Sequence, residues 1–188
     1  DELEPRYKPW AEAALFNANV SHVTTVEPIG VKISSDYDNF TSLELSEVGR
    51  RYLERKWEGV DVAFSFSSLK HEGLGRLGEP LNPFGDLESM GRIRCLLKPG
   101  GLLFVGFPMS ADEVWWNGHR LYGRYRLFLL LLGWRVVDLY PDNCVVDPAK
   151  ALPGYVGCQP VMLLQKTDVL KPSDMVQSLK PQPQPSSS

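Results

Sequence analysis

The chain has 188 residues, 43% hydrophobic and 23% charged, which suits one globular domain with a sizeable core and excludes a wholly disordered chain. Its formal net charge of -3 lacks the basic excess that a phosphate backbone attracts, so no nucleic acid partner is expected. No apolar run approaches the roughly 20 residues that span a bilayer; the longest, residues 127–132, ends at Gly133, and the domain reads as soluble with no membrane span.

In chain order, residues 10–19 place Trp10, Ala13, Ala14 and Phe16 as in a short helix opened by Pro9, where a missing amide costs nothing. Residues 22–27 (HVTTVE) are β-branched and stop at Pro28, which predicts a strand. Residues 43–57 carry Leu45, Val48, Tyr52 and Leu53 at helical spacing, with Glu44, Glu47, Arg50, Arg51, Glu54, Arg55 and Lys56 as a solvated face. Residues 60–66 (VDVAFSF) and 101–107 (GLLFVGF) read as central parallel strands covered on both faces. Between them residues 86–97 form the crossover helix, and Pro99-Gly100-Gly101 turns into the next strand. Residues 120–132 predict a helix closed by Gly133, residues 134–140 (WRVVDLY) a strand, and residues 161–165 a last one.

Strands alternating with helices imply an α/β fold with a doubly wound, mostly parallel, Rossmann-like sheet. The domain is expected over residues 1–170, and residues 171–188 form a Pro/Gln/Ser tail that cannot bury a core. Cys95, Cys144 and Cys158 are odd in number and widely spaced, which predicts reduced structural thiols, no metal site and a weak preference for the cytoplasm. Two sequons, at Asn19 and Asn39, are short enough to recur by chance, and neither is assigned a glycan.

In open parallel sheets ligands bind beyond the carboxyl ends of the strands, so the residues just after each strand carry the functional reading. Glu27 stands at such an end and could accept both hydroxyls of a ribose; a solvated or helix-capping acid is the plain alternative. After Phe66 comes the polar, glycine-rich run from Ser67 and Ser68 to Arg76. His71 and Glu72 in it offer a base and a carboxylate, because imidazole titrates near neutrality, against the alternative of a loop histidine bonded to nearby backbone. Gly73, Gly75 and Gly78 read as turn residues rather than a phosphate cradle, and Asp86 as a helix N-cap. The segment Val114 to Gly123 contains Trp115, Trp116, Asn117, His119, Arg120 and Tyr122. Its aromatics and cations suit a planar or anionic acceptor, while a packed, hydrogen-bonded cover over the sheet edge competes.

Leu97-Lys98-Pro99-Gly100-Gly101 resembles the turn before the fifth strand of class I S-adenosylmethionine-dependent methyltransferases. Together with Thr24-Thr25-Val26-Glu27, Ser65-Phe66-Ser67-Ser68, the run from His71 to Arg76, Gly78 to Pro83, Gly85-Asp86 and Trp116 to Gly123, it resembles the methyltransferase-like domain of unknown function 268. The resemblance spans about residues 9–140. It implies a class I methyltransferase-like fold, with the ribose of S-adenosylmethionine near Glu27. Read from the residues themselves, a methyltransferase would have Ser67 and Ser68 lining the cofactor face, His71 and Glu72 as catalytic groups, and Trp116, Asn117, His119, Arg120 and Tyr122 binding a small-molecule or glycan acceptor.

One element departs from that pattern. A glycine-rich turn should follow a first strand before Trp10, yet residues 1–9 (DELEPRYKP) hold no glycine. The expectation is therefore a chain that continues upstream of Asp1 or a degenerate copy that lacks the first strand. This leaves a methyltransferase and a non-catalytic binding domain as the two competing functions. A nicotinamide oxidoreductase would need a glycine fingerprint before the strand of Glu27, and none is present.

Overall fold

The computed structural model describes residues 10–27, 38–76, 78–141 and 158–167. Predicted features in the remaining residues, including Pro9, Cys144 and the tail, lie outside the described residues. The chain divides into two compact units, Asp1–Glu58 and Gly59–Ser188.

In the first unit, helix α1 (Trp10–Asn17) precedes strand β1 (Val23–Glu27), β2 (Phe40–Glu44) and helix α2 (Leu45–Leu53). β1 and β2 pair in parallel from Val23↔Phe40 to Glu27↔Glu44. The Thr25 hydroxyl donates to Glu12 Oε1 at 2.8 Å, tying α1 to the sheet. On α2, Val48 is buried and the charged face is laced by Arg50 to Glu47 and Glu54 and by Arg51 to Glu47, all at 2.7–2.8 Å. These i,i+3 and i,i+4 pairs lie on the solvated face expected of the helix, where solvent screening leaves each of them weak.

The second unit is built on β3 (Val60–Phe66), a 3-10 turn (Leu69–His71), α3 (Gly85–Leu96) and β4 (Leu97–Gly106). It continues with β5 (Glu113–Val114), β6 (Arg120–Leu121), α4 (Arg124–Leu130), β7 (Trp134–Tyr140) and β8 (Val161–Lys166). A four-stranded sheet has the order β3-β4-β8-β7, and β5-β6 forms a small hairpin. β3 and β4 are parallel, joined by the crossover through α3, whereas β8 is antiparallel to both its neighbours.

The core lies on one face of this sheet. Leu103, Val105, Met162 and Leu164 are buried there with Met90 of α3 and Leu130 of α4. On the opposite face Val62, Phe64, Phe66 and Phe104 are exposed. The α/β class holds, but the sheets are mixed rather than mostly parallel, and among the described residues of this unit the helices cover one face rather than two. β3 is correspondingly not a strand buried on both faces; β4 is its one neighbour among the described strands.

Several boundaries moved for physical reasons. The helix expected over residues 120–132 begins at Arg124, because Arg120 and Leu121 pair with Val114 and Glu113 in the hairpin. Asp86 is not an N-cap: Phe84 holds that position and Asp86 is fully buried inside the first turn of α3. The cysteine expectation also changes, since Cys95 is a free exposed thiol while Cys158 is disulfide-bonded. Among the described residues no helix is long and apolar enough to cross a membrane.

Candidate functional site

β3 delivers the chain to the site. At its carboxyl end the Ser67 amide donates to Gly106 O at 2.7 Å, and Ser67 takes φ +61. A non-glycine residue in the left-handed region is held there at some energetic cost, a feature that gathers at ligand-binding turns. Ser68 follows, exposed, and the 3-10 turn Leu69–His71 anchors through buried Leu69. Gly73 has φ +72, and a Cβ there would lie 2.3 Å from Asn82 O. Only glycine lets the loop close against residue 82, where the Asn82 amide donates to Gly73 O at 2.9 Å.

The loop and the Trp115–Tyr122 segment meet. His71 Nδ1 lies 2.6 Å from Gly118 O, 47 positions away, so the histidine bonds to distant rather than local backbone. A carbonyl can only accept, so Nδ1 carries the proton and the neutral ring presents the Nε2 lone pair. Burial foremost, opposed by the Gly118 bond and reinforced by Lys70, Arg76 and His119, pushes the His71 pKa below its ordinary value. The ring is therefore kept neutral near pH 7, as a proton acceptor needs to be. Its neighbour Glu72 is half-buried, and burial pushes its carboxyl up.

Within the hairpin segment the residues divide by burial. Trp115, Trp116 and Asn117 are exposed and His119 is half-buried. The Trp115 amide donates to His119 O at 2.9 Å, Asn117 turns the chain at φ +51, and the Trp115 and His119 rings stand 4.8 Å apart. His119 also meets His71 edge-on with centroids 6.4 Å apart. Burial first, then Lys70 and Arg76, lower the His119 pKa.

Arg120 and Tyr122, by contrast, face the interior, each almost wholly buried. Arg120 Nη1 donates to Glu72 O at 2.5 Å and Nη2 to Asn82 O at 3.2 Å, clamping the loop from beneath. Its Nε lies 3.8 Å from Asp86. Arg126 grips the same carboxylate, with Nε 3.0 Å from Oδ2 and Nη2 against Oδ1. Burial foremost, then the Asp86 charge, pushes the Tyr122 phenol well above its usual range. These two residues hold the site's frame, whereas the sequence had suggested them as acceptor contacts. Asp86 and Arg126 complete that frame without having been singled out as such; the one signal was Gly85-Asp86 within the quoted motif.

Glu27 ends β1 in the other unit. It is half-buried, and burial followed by the Glu12 charge raises its pKa. The expectation of one sheet shared by Glu27 and the other candidates is not met among the described residues, since β1-β2 and β3-β4-β8-β7 are separate sheets. No group of three or more His, Cys, Asp or Glu side chains able to hold a metal occurs among the described residues.

A mixed α/β domain with a histidine-bearing turn after a parallel strand is the class these features define. The family model described as Caenorhabditis protein of unknown function, DUF268, matches residues 5–149, and the chain belongs to that family. No curated protein matches it.

Proposed function

We propose that the protein is a Rossmann-like, class I S-adenosylmethionine-dependent methyltransferase acting on a small-molecule or glycan acceptor. The observation that carries this reading is the His71–Gly118 bond at 2.6 Å, which holds the Nδ1 proton and leaves Nε2 to act as a base beside a strand end. The position of Ser67 in a left-handed turn at the carboxyl end of β3 supports a bound ligand there.

In this reading Glu27, a partly desolvated carboxylate, would accept hydrogen bonds from two vicinal ribose hydroxyls, and Ser67 and Ser68 would add hydroxyls at the cofactor face. When bound, S-adenosylmethionine supplies an electrophilic methyl group. His71 Nε2 receives the proton of the acceptor hydroxyl or amine as that atom becomes nucleophilic. Trp115 and Trp116 offer flat surfaces for the acceptor's apolar faces. The Arg120 clamp holds the loop so that His71 keeps its aim, and alignment of this kind can account for much of a rate without metal or covalent intermediates.

Calorimetric titration with S-adenosylhomocysteine tests the reading: saturable heat is expected, weakened roughly tenfold or more by Glu27→Ala, which removes hydrogen bonds to the ribose. Absence of heat at millimolar ligand would leave a non-catalytic binding domain as the function. Separation of Glu27 and Ser67 into different sheets is the observation that favours that second reading.

A further inference from the structure

The positive charge expected of Arg120 is turned inward, yet the loop carries other cations that the sequence alone did not single out. Arg76 Nη1 stands 3.3 Å from His71 Nδ1. That nitrogen already gives its proton to Gly118 O, so it has no lone pair for the guanidinium, and two donors face each other. Lys70 precedes His71 in the same 3-10 turn, and His119 lies across from His71 at 6.4 Å between centroids. The carboxylates around them are otherwise engaged. Glu79 Oε1 accepts from the Gly75 and Arg76 backbone amides at 2.8 and 3.2 Å. Glu72 faces Ser89, Arg92 and Arg120, and Glu113 acts weakly on His119 from the hairpin. Lys70 is partly desolvated, which with Arg76 lowers its pKa.

Like charges brought together and partly dehydrated are unfavourable unless an anion joins them. We propose that Lys70 and Arg76, beside His71 and His119, form a subsite for an oxyanion group, such as phosphate, sulfate or carboxylate, carried by the acceptor. This rests on the methyltransferase reading for the word acceptor, but the anion subsite itself stands on the geometry above. Arg76 presents a forked guanidinium suited to two oxygens, Lys70 a point charge, and Trp115 against His119 a flat wall for the rest of the molecule.

The chain has three histidines, and the third, His22, is exposed in the first unit, with Nε2 bonded to the Thr41 hydroxyl at 2.9 Å. It is an internal reference for imidazole NMR of the full chain, titrated in sodium sulfate and in sodium chloride of equal ionic strength. Sulfate should raise the titration midpoints of His71 and His119 by roughly 0.5 to 1 pH unit, because an anion favours imidazolium, and should do so saturably while His22 does not respond. Lys70→Ala with Arg76→Ala should abolish the rise, with an unchanged circular dichroism spectrum and thermal melt reporting an unchanged fold. Equal responses from all three histidines, or a full response in the double variant, would overturn the subsite. Sulfate binding without S-adenosylhomocysteine binding would uphold the subsite and sink the methyltransferase reading; the reverse result would overturn the subsite alone.

Discussion

Asp86 is the residue on which the site's frame depends. It is fully buried, accepts from the Leu87 amide at 3.0 Å, and is flanked by Arg126 and Arg120. Removing one member of a buried ion pair strands the other charge, which costs about 3–5 kcal/mol. Asp86→Ala should lose that much stability in urea denaturation; a loss below about 1 kcal/mol would show that the arginines rehydrate and that the frame is looser than described. This role was hard to read in the sequence. A carboxylate after Gly85 looks like a helix cap, and Arg120 in a polar run looks like a surface cation. What assigns both to the interior is their meeting across 34 positions of chain, a distance that local pattern does not encode. His71 could be read from sequence as a candidate base because imidazole chemistry is intrinsic to the residue, but its tautomer depends on Gly118, which is 47 positions away.

At the scale of elements, turn glycines decide how the loop after β3 closes. Gly73→Ala should destabilise by at least about 2 kcal/mol, combining a left-handed backbone at φ +72 with a Cβ 2.3 Å from Asn82 O. Gly91 makes the opposite case: it is exposed in α3, and a Cβ there meets nothing within 4 Å. Gly91→Ala should stabilise by about 0.5–1 kcal/mol through helix propensity. Thermal melts of the two variants check both signs, and equal effects would contradict the loop geometry. The long elements α2, α3, β4 and β7 were visible because apolar spacing or a continuous apolar run marks them. β2 was missed, since FTSLE merges into the helical pattern that begins at Leu45. β5 and β6 have two residues each, too few for any periodicity. The direction of β8 was not legible either: an apolar run gives a strand but not its orientation, and here it lies reversed between β4 and β7.

At the scale of the whole molecule, each unit carries its own sheet, and the proposed chemistry of the segments from Ser67 to Arg76 and Trp115 to His119 belongs to the second. The alternation of strands and helices indicated an α/β chain, no spanning helix occurs among the described residues, and the family match over residues 5–149 contains the span of about residues 9–140 over which the motifs resemble that family. The central claim is that a cofactor sits at the turn following β3. Amide hydrogen exchange with and without saturating S-adenosylhomocysteine tests it most directly, because a bound ligand suppresses local opening of the segment it contacts. The account predicts slower exchange across residues 67–76. Unchanged exchange in that segment at millimolar ligand would contradict it.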